Sequence, residues 1–474
     1  MTSSLPRINP SPAIEKVKLN YPVEELFAHF SSQLNSSILH SSLKTDVGRY
    51  SFIGFEPFLV LNSKTQKNTL AYLDVILKTY KINNPTSLPF IGGGIGYFSY
   101  DLKDLLEKLP QKAKNDLKLP DMYFVFYQAL LIHDNFKPDH VYISIVDFIS
   151  SAYKRTEELM REVKKTVKSL PKRKVLKYEY KAYKPVLKAN FSKSGYMKAV
   201  KKAIKYIYAG DIYQVNLSQR FHTKWPYSAY ELYSRLNKIN PAPFSAYLNF
   251  GKFKIISSSP ELFLKVANGA IETRPMKGTR PRGKNCKQDQ KLKDELAKSV
   301  KDGAELSMIV DLERNDLGKI SKPGSVVVTE HRRIEAYSTV FQAISIVKGK
   351  VDKRTSLVDI IKATFPGGSI TGCPKIRAME IIDELEPTAR NIYTGSLGYI
   401  SFHNTMELNI AIRTMIMKGE NIYFQAGGGI VADSKPQAEY QETLDKAYAL
   451  INSLTINPEK RSQGHRAKDI EKNN

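Results

Sequence analysis

Cysteine is nearly absent from this chain, with Cys286 and Cys373 the two present in 474 residues. Two thiols cannot build a disulfide framework or a four-thiolate metal site, so a secreted disulfide scaffold and a zinc ribbon are excluded, and a reducing compartment fits. Long apolar runs are missing as well. No stretch of about 18 apolar residues occurs, so no membrane-spanning helix is expected. The opening MTSSLPRINPSPAIEKVKLN places prolines and charges where a secretory leader needs an unbroken apolar segment. The expectation is a cytoplasmic protein. Acidic residues are in short supply: 47 Asp+Glu against 72 Lys+Arg give a formal charge of +25. The lysines are scattered along the chain and not gathered into a stripe, so neither nucleic acid nor a membrane is expected as a partner.

What is present is a globular composition, 42% hydrophobic. Residues 15–170 read as an N-terminal region with short extended runs, FEPFLVLNS (55–63) and HVYISIVDF (140–148), that predict antiparallel strands. KRTEELMREVKKTVKS (154–169) predicts a charged surface helix. Residues 171–190, rich in charge and proline, read as a linker, 191–455 as a second region, and 456–474 as a polar tail. GGGIG (92–96) lacks the third glycine of a dinucleotide fingerprint. FPGGSITGCPK (365–375) lacks the Gly-Lys-Ser/Thr ending of a phosphate loop and predicts a tight turn opening a helix, with Pro374 at the first helical position.

Carboxylates are arranged in two pairs. DELAKSVKDGAELSMIVDL (294–312) reads as one helix with Asp302 and Glu305 at i,i+3. PQAEYQETLDKAYALINSL, starting at Pro436, places Glu439 and Glu442 at the same spacing. Two readings stand: solvated acids at helix starts, or a hard-cation site in which carboxylates from two helices bind Mg²⁺ through oxygen. Lys277, between Pro275 and Gly278, is either part of an exposed basic turn or a desolvated, nucleophilic amine with a lowered pKa. Arg413 follows the strand-like MELNIAIRTMI, and its fork suits a carboxylate or phosphate.

The segments GDIYQVNLSQR (210–220), SSSPELFL (257–264), RPMKGTRPRG (274–283), AELSMIVDLERNDLG (304–318), FPGGSITGCPKIRAMEIIDELEP (365–387), LNIAIRT (408–414) and AGGGIVADSKPQAEYQETLDKA (426–447) resemble the chorismate-utilising enzymes in order. That family includes anthranilate, aminodeoxychorismate, isochorismate and salicylate synthases. The resemblance implies an α+β fold with an antiparallel β-sandwich core and surrounding helices. Gln214 stands where the water-adding branches carry a lysine base, which suits ammonia as nucleophile. Lys277 stands where aminodeoxychorismate synthases have lysine and anthranilate synthases alanine. The resemblance therefore implies amination of chorismate at C4 through a covalent Lys277 intermediate, with Glu261 as proton donor. It implies Mg²⁺ on Glu305, Glu439 and Glu442 with Asp302 nearby. Arg413 and Tyr393 would take the enolpyruvyl carboxylate, and Gln214, Gly278, Thr279, Ser369 and Gly429 would line the pocket. Ammonia is expected from a separate glutamine amidotransferase subunit, the product serving 4-aminobenzoate and folate synthesis.

The same resemblance matches Ser41, Arg49, Tyr50, Ser51, Pro243, Phe244 and Ser245 to a tryptophan pocket, although His40 replaces the glutamate of the feedback-inhibited branch. There are two departures in the catalytic region. Gln342 replaces a histidine thought to help anthranilate synthases lose pyruvate, so a product that keeps its enolpyruvyl group is expected. Cys373 replaces a more usual alanine and is read as a packing substitution.

Overall fold

The computed structural model describes residues 10–148, 153–169, 182–337 and 340–456. Residues 171–181 of the expected linker and 457–474 of the expected tail lie outside them. Every ladder is antiparallel, as the short β-rich runs predict, and the ladders form two layers that share one long strand. Met122–Asp134 pairs along its whole length with Tyr50–Asn62. On its other edge the first half meets Gly93–Phe98 and the second half meets His140–Ile145. One layer continues from Tyr50–Asn62 through Ser37–His40, Phe244–Asn249, Lys254–Ser259, Thr414–Lys418 and Asn421–Ile430 to Gln214–Lys224. The other runs from Gly93–Phe98 through Ser396–Ser401, Met406–Asn409, Leu262–Ala267 and Ala270–Thr273 to Val340–Lys350. The regions 15–170 and 191–455 thus share both layers.

Period-two alternation sorts the side chains of these strands. Along Met122–Asp134, Leu130 and Ile132 enter one apolar cluster while Ala129 and Leu131 enter another, and Phe52 and Ile53 split in the same way. The second cluster also takes the inner faces of the helices Val23–Ala28, Ala229–Ile239 and Pro436–Leu454. Each fully buried Leu, Ile or Phe contributes about 1.5–3 kcal/mol. The helices are thereby pinned outside the sheets, and Glu439 and Glu442 face the strand that carries Gly428.

The predicted single helix over 294–312 is two helices, Cys286–Lys298 and Val300–Gly318. Ser299 ends the first and caps the second, its side chain accepting the Asp302 N–H at 3.2 Å. A serine in mid-pattern offers the backbone this alternative to helix, which periodicity alone does not reveal. Ser299→Ala is expected to cost about 1 kcal/mol in chemical denaturation. Pro374 is likewise the residue before the helix Lys375–Leu385, not its first residue.

Candidate active site

Lys277 lies in neither an exposed turn nor a plain strand. It stands on Met276–Pro281, opposite Ala343, and Thr279 stands opposite Gln342. Between them the register shifts at Gly278, whose φ is 76°. A Cβ there would stand 2.9 Å from Asp302 Cγ, so glycine lets this strand approach the Val300–Gly318 helix. The Lys277 side chain is 15% exposed, its Nζ 4.0 Å from Glu305 Oε2. Burial pushes its pKa down, against the pull of Glu305.

The facing strand brings the other groups in. Gly429 lies opposite Asn216, two residues from Gln214. A Cβ on Gly429 would stand 2.9 Å from Lys277 Nζ and 3.0 Å from the Gln214 amide. One on Gly428 would stand 3.1 Å from Glu442 Oε1 and 3.4 Å from Glu439 Oε2. The amine and the amide thus meet over Gly429 and the two carboxylates over Gly428, the next residue of the strand on its other face, with Glu442 still within electrostatic reach of Lys277. The Gln214 amide oxygen and nitrogen and Gln342 Oε1 are buried without a hydrogen-bond partner among the described residues, polar groups of the kind that line a site for a polar ligand. Gly429→Ala is expected to slow turnover about 10–100-fold by displacing two side-chain ends. The thermal melt should be unchanged, since those ends are free to swing aside; steady-state rates with a circular dichroism melt check both.

Glu261 is buried at 4% exposure, and burial raises its pKa to about 7. It is a carboxylic acid that holds a proton near neutrality. Glu305 and Glu439 are also raised, by burial first and then by neighbouring carboxylates, Glu442 being common to both. Glu439 Oε1 accepts from Ser434 at 2.7 Å. Glu442 is held below its usual range despite burial because Lys446 Nζ stands 2.7 Å away. Among the described residues no three His, Cys, Asp or Glu side chains converge into a ready metal cage. Glu305, Glu439 and Glu442 carry the oxygen donors that a hard divalent cation takes, two of them raised by burial and, after it, by neighbouring carboxylates. Asp302 is tied to Arg280 at 2.9 Å.

Arg413 is not at a strand end. It lies between Met406–Asn409 and Thr414–Lys418 with φ 49°, a conformation costly for a non-glycine residue and concentrated at functional sites. Its Nη1 donates to Asn240 Oδ1 at 3.3 Å, and Asn240 donates in turn to Ser258 Oγ at 2.9 Å. Tyr337 lies within electrostatic reach of both Arg413 and Glu261. Tyr393 is buried, with the Arg390 guanidinium 5.8 Å from its ring centre. Cys373 pairs in register with Gln214 and is half-buried.

Sequence reasoning missed several groups. Arg390 and Glu386 form a buried bidentate pair at 2.7 and 2.9 Å, legible afterwards as an i,i+4 pair. Lys375, the first residue of the helix Lys375–Leu385, turns back to the carbonyls of Thr364 at 2.9 Å and Pro366 at 2.7 Å and pairs with Asp316. Glu313, held by Thr273 at 2.8 Å, is buried and raised to about 8. Of the tryptophan set, Ser41, Tyr50, Pro243, Phe244 and Ser245 line one small cavity together with Phe52 and Tyr399. Arg49 instead donates to Asp134 at 2.8 Å, and Ser51 accepts from the Ser41 N–H at 3.2 Å.

Residues 37–452 match the family model for chorismate binding enzymes. Anthranilate synthase component 1 of Acetivibrio thermocellus is 39% identical over 86% of this chain and 87% of that protein. Aminodeoxychorismate synthase component 1 of Salmonella typhimurium is 42% identical over 77% of this chain and 78% of its own. The crystal structure of anthranilate synthase component I from Streptococcus pneumoniae superposes with a TM-score of 0.77 at 32% identity, covering 86% of this chain and 93% of that one. With its lysine, glutamates and glycines meeting on the same sheets, the chain belongs to the chorismate-binding enzyme family.

Proposed function

We propose that the chain aminates chorismate at C4, converting chorismate and ammonia to 4-amino-4-deoxychorismate and water through a covalent bond to Lys277. The observation that carries this reading is the meeting of the Lys277 amine and the uncharged Gln214 amide over Gly429, 4.0 Å from Glu305. Burial enlarges the neutral, nucleophilic fraction of Lys277. The amine bonds to C2, both ring double bonds move one position around the ring, and the C4–O bond breaks with the hydroxyl taking the Glu261 proton to leave as water. Ammonia then bonds to C4, both double bonds shift back, and the C2–N bond breaks to return the lysine. The proton lost from nitrogen restores Glu261. Two displacements retain the configuration at C4, which a single one would invert.

Arg413 and Tyr393 take the enolpyruvyl carboxylate, and Ser369, Thr279 and the Gly278 backbone line the ring's path. Glu305, Glu439 and Glu442 would hold Mg²⁺, which when bound neutralises the ring carboxylate and draws density from the diene. Gln342 has no proton to relay near pH 7, so the enolpyruvyl group is kept. Relatives named component 1 support a second component, here a glutaminase subunit that supplies ammonia in the cytoplasm, with the product going on to 4-aminobenzoate and folate.

A second reading, component I of anthranilate synthase, is favoured by the 39% identical relative of that name. Incubating the purified chain with chorismate, Mg²⁺ and an ammonium salt, then identifying the product by chromatography and mass, decides between them. Aminodeoxychorismate is the expected product. Anthranilate would replace the proposal with the second reading, and unconsumed chorismate would sink both.

A further inference from the structure

The strand Gly372–Cys373 is pressed against the start of Gln214–Lys224, with Gly372 opposite Val215 and Cys373 opposite Gln214. The Tyr213 N–H donates to the Cys373 carbonyl and the Asn216 N–H to the Thr371 carbonyl, each at 2.8 Å. These bonds bracket the pair and hold its register. Gly372 leaves no slack, because its φ is 144° and a Cβ on it would stand 2.2 Å from the Gln214 carbonyl oxygen.

That register decides where the Cys373 thiol goes. Residues directly opposite in an antiparallel pair send their side chains to the same face, with Cβ atoms about 4.5–5.5 Å apart. Val215 and Leu217 point the other way, into the larger apolar cluster. Gln214 and Cys373 therefore share the face on which Gly429 stands opposite Asn216 and on which the Lys277 amine lies. Gln214 is fully buried, and its amide oxygen and nitrogen have no hydrogen-bond partner among the described residues. A bare glycine bounds that amide on one side and a thiol on the other.

The amide oxygen can accept one N–H of ammonia and leave the nitrogen lone pair free for the ring. It cannot measure size, since a methylated amine offers an N–H as well. Cys373 can, because its sulfur has about the bulk of a methyl group, and a misfit of one carbon in a pocket is worth about 10–200-fold in kcat/KM. Burial raises the thiol pKa, so near neutrality this neighbour is uncharged bulk and not a base. It is half-buried and can be reached from solution.

We propose that Cys373 is the wall of the ammonia subsite, filling the space beside the Gln214 amide and setting the size of amine that reaches the ring. The inference rests on the reading above in which ammonia is the nucleophile at Gln214.

The test uses the full chain with Cys286→Ala, which removes the exposed thiol of the helix Cys286–Lys298 and leaves Cys373 alone. Methyl methanethiosulfonate then adds a methylthio group to Cys373 with methanesulfinate leaving, and intact mass confirms it. The KM for ammonium is expected to rise about tenfold while the KM for chorismate stays, and dithiothreitol should reverse both the mass and the change in KM. Cys373→Val adds bulk without a reagent and should act in the same direction. Cys373→Ala should act in the opposite one, raising kcat/KM for methylamine relative to ammonium about tenfold, with the N-methyl product identified by mass. A purely structural role would move both KM values or neither and leave the ratio of the two amines fixed. An unchanged ammonium KM in the methylthio and valine forms, or an unchanged amine ratio in Cys373→Ala, would overturn the proposal. Anthranilate as the wild-type product would instead overturn the proposed function, and the amine ratio would still report on the wall. Chorismate left unconsumed by the wild-type chain would remove both.

Discussion

In Lys277→Ala, consumption of chorismate with ammonium is expected to fall by about 10⁴-fold or more, because removal of a nucleophile leaves only binding and charge stabilisation. The melting curve should hardly move, since the side chain makes one long contact, with Glu305. A second readout separates nucleophile from bystander. With ammonium left out, intact-mass spectrometry of the wild-type chain should find a population heavier by chorismate less one water, with the label on Lys277 after digestion. The alanine variant should carry none. Full turnover in Lys277→Ala, or an adduct mapped elsewhere, removes the covalent step while leaving membership of the family untouched.

Glu261→Gln is expected to lower kcat by about 10²–10⁴-fold, the usual share of a positioned general acid. The sign of its pH dependence follows from burial. The acid form is the donor and its pKa is about 7, so wild-type activity should decline as pH rises through about 7, and this alkaline limb should vanish in the glutamine variant. Persistence of the limb would assign it to another group. Stability follows the same direction. Glu261 and Glu313, raised to about 7 and about 8 from 4.5, hold protons that the unfolded chain has already lost, so their contribution is full below about 4.5 and declines through those values. Denaturation midpoints measured from pH 5 to 9 should therefore fall on the alkaline side.

Much of this site was legible because its parts are local. Pro436 starting a helix, the i,i+3 glutamates on it and the short β-rich runs each express a period or a cap that a few neighbouring residues carry. What was not legible depends on partners distant in sequence. Between Pro275 and Gly278 the choice for Lys277 between an exposed turn and a desolvated amine stayed open, because a bulge is defined by the opposing strand, here Val340–Lys350. The helix over 294–312 broke at Ser299 because a cap competed with the periodicity on either side. Arg413 could be assigned an anion but not its left-handed backbone, and the glycines at 428 and 429 showed their purpose only when the Gln214 strand and the Pro436–Leu454 helix were placed against them. Resemblance supplied the residues, and pairing supplied the distances.

The interleaved sheets have a consequence for how the chain is made. Gly93–Phe98 finds its second neighbour in Ser396–Ser401, about 300 residues later. At roughly 5–20 residues per second, synthesis leaves that apolar strand edge without its partner for about 15–60 s. An open edge of this kind templates association with other chains. A chain released early, even one cut in the linker, would not be a smaller working domain but an incomplete sheet, dependent on chaperones to stay soluble. Exchange of whole domains with other proteins is closed to such an architecture, because no boundary in it separates one finished layer from the other.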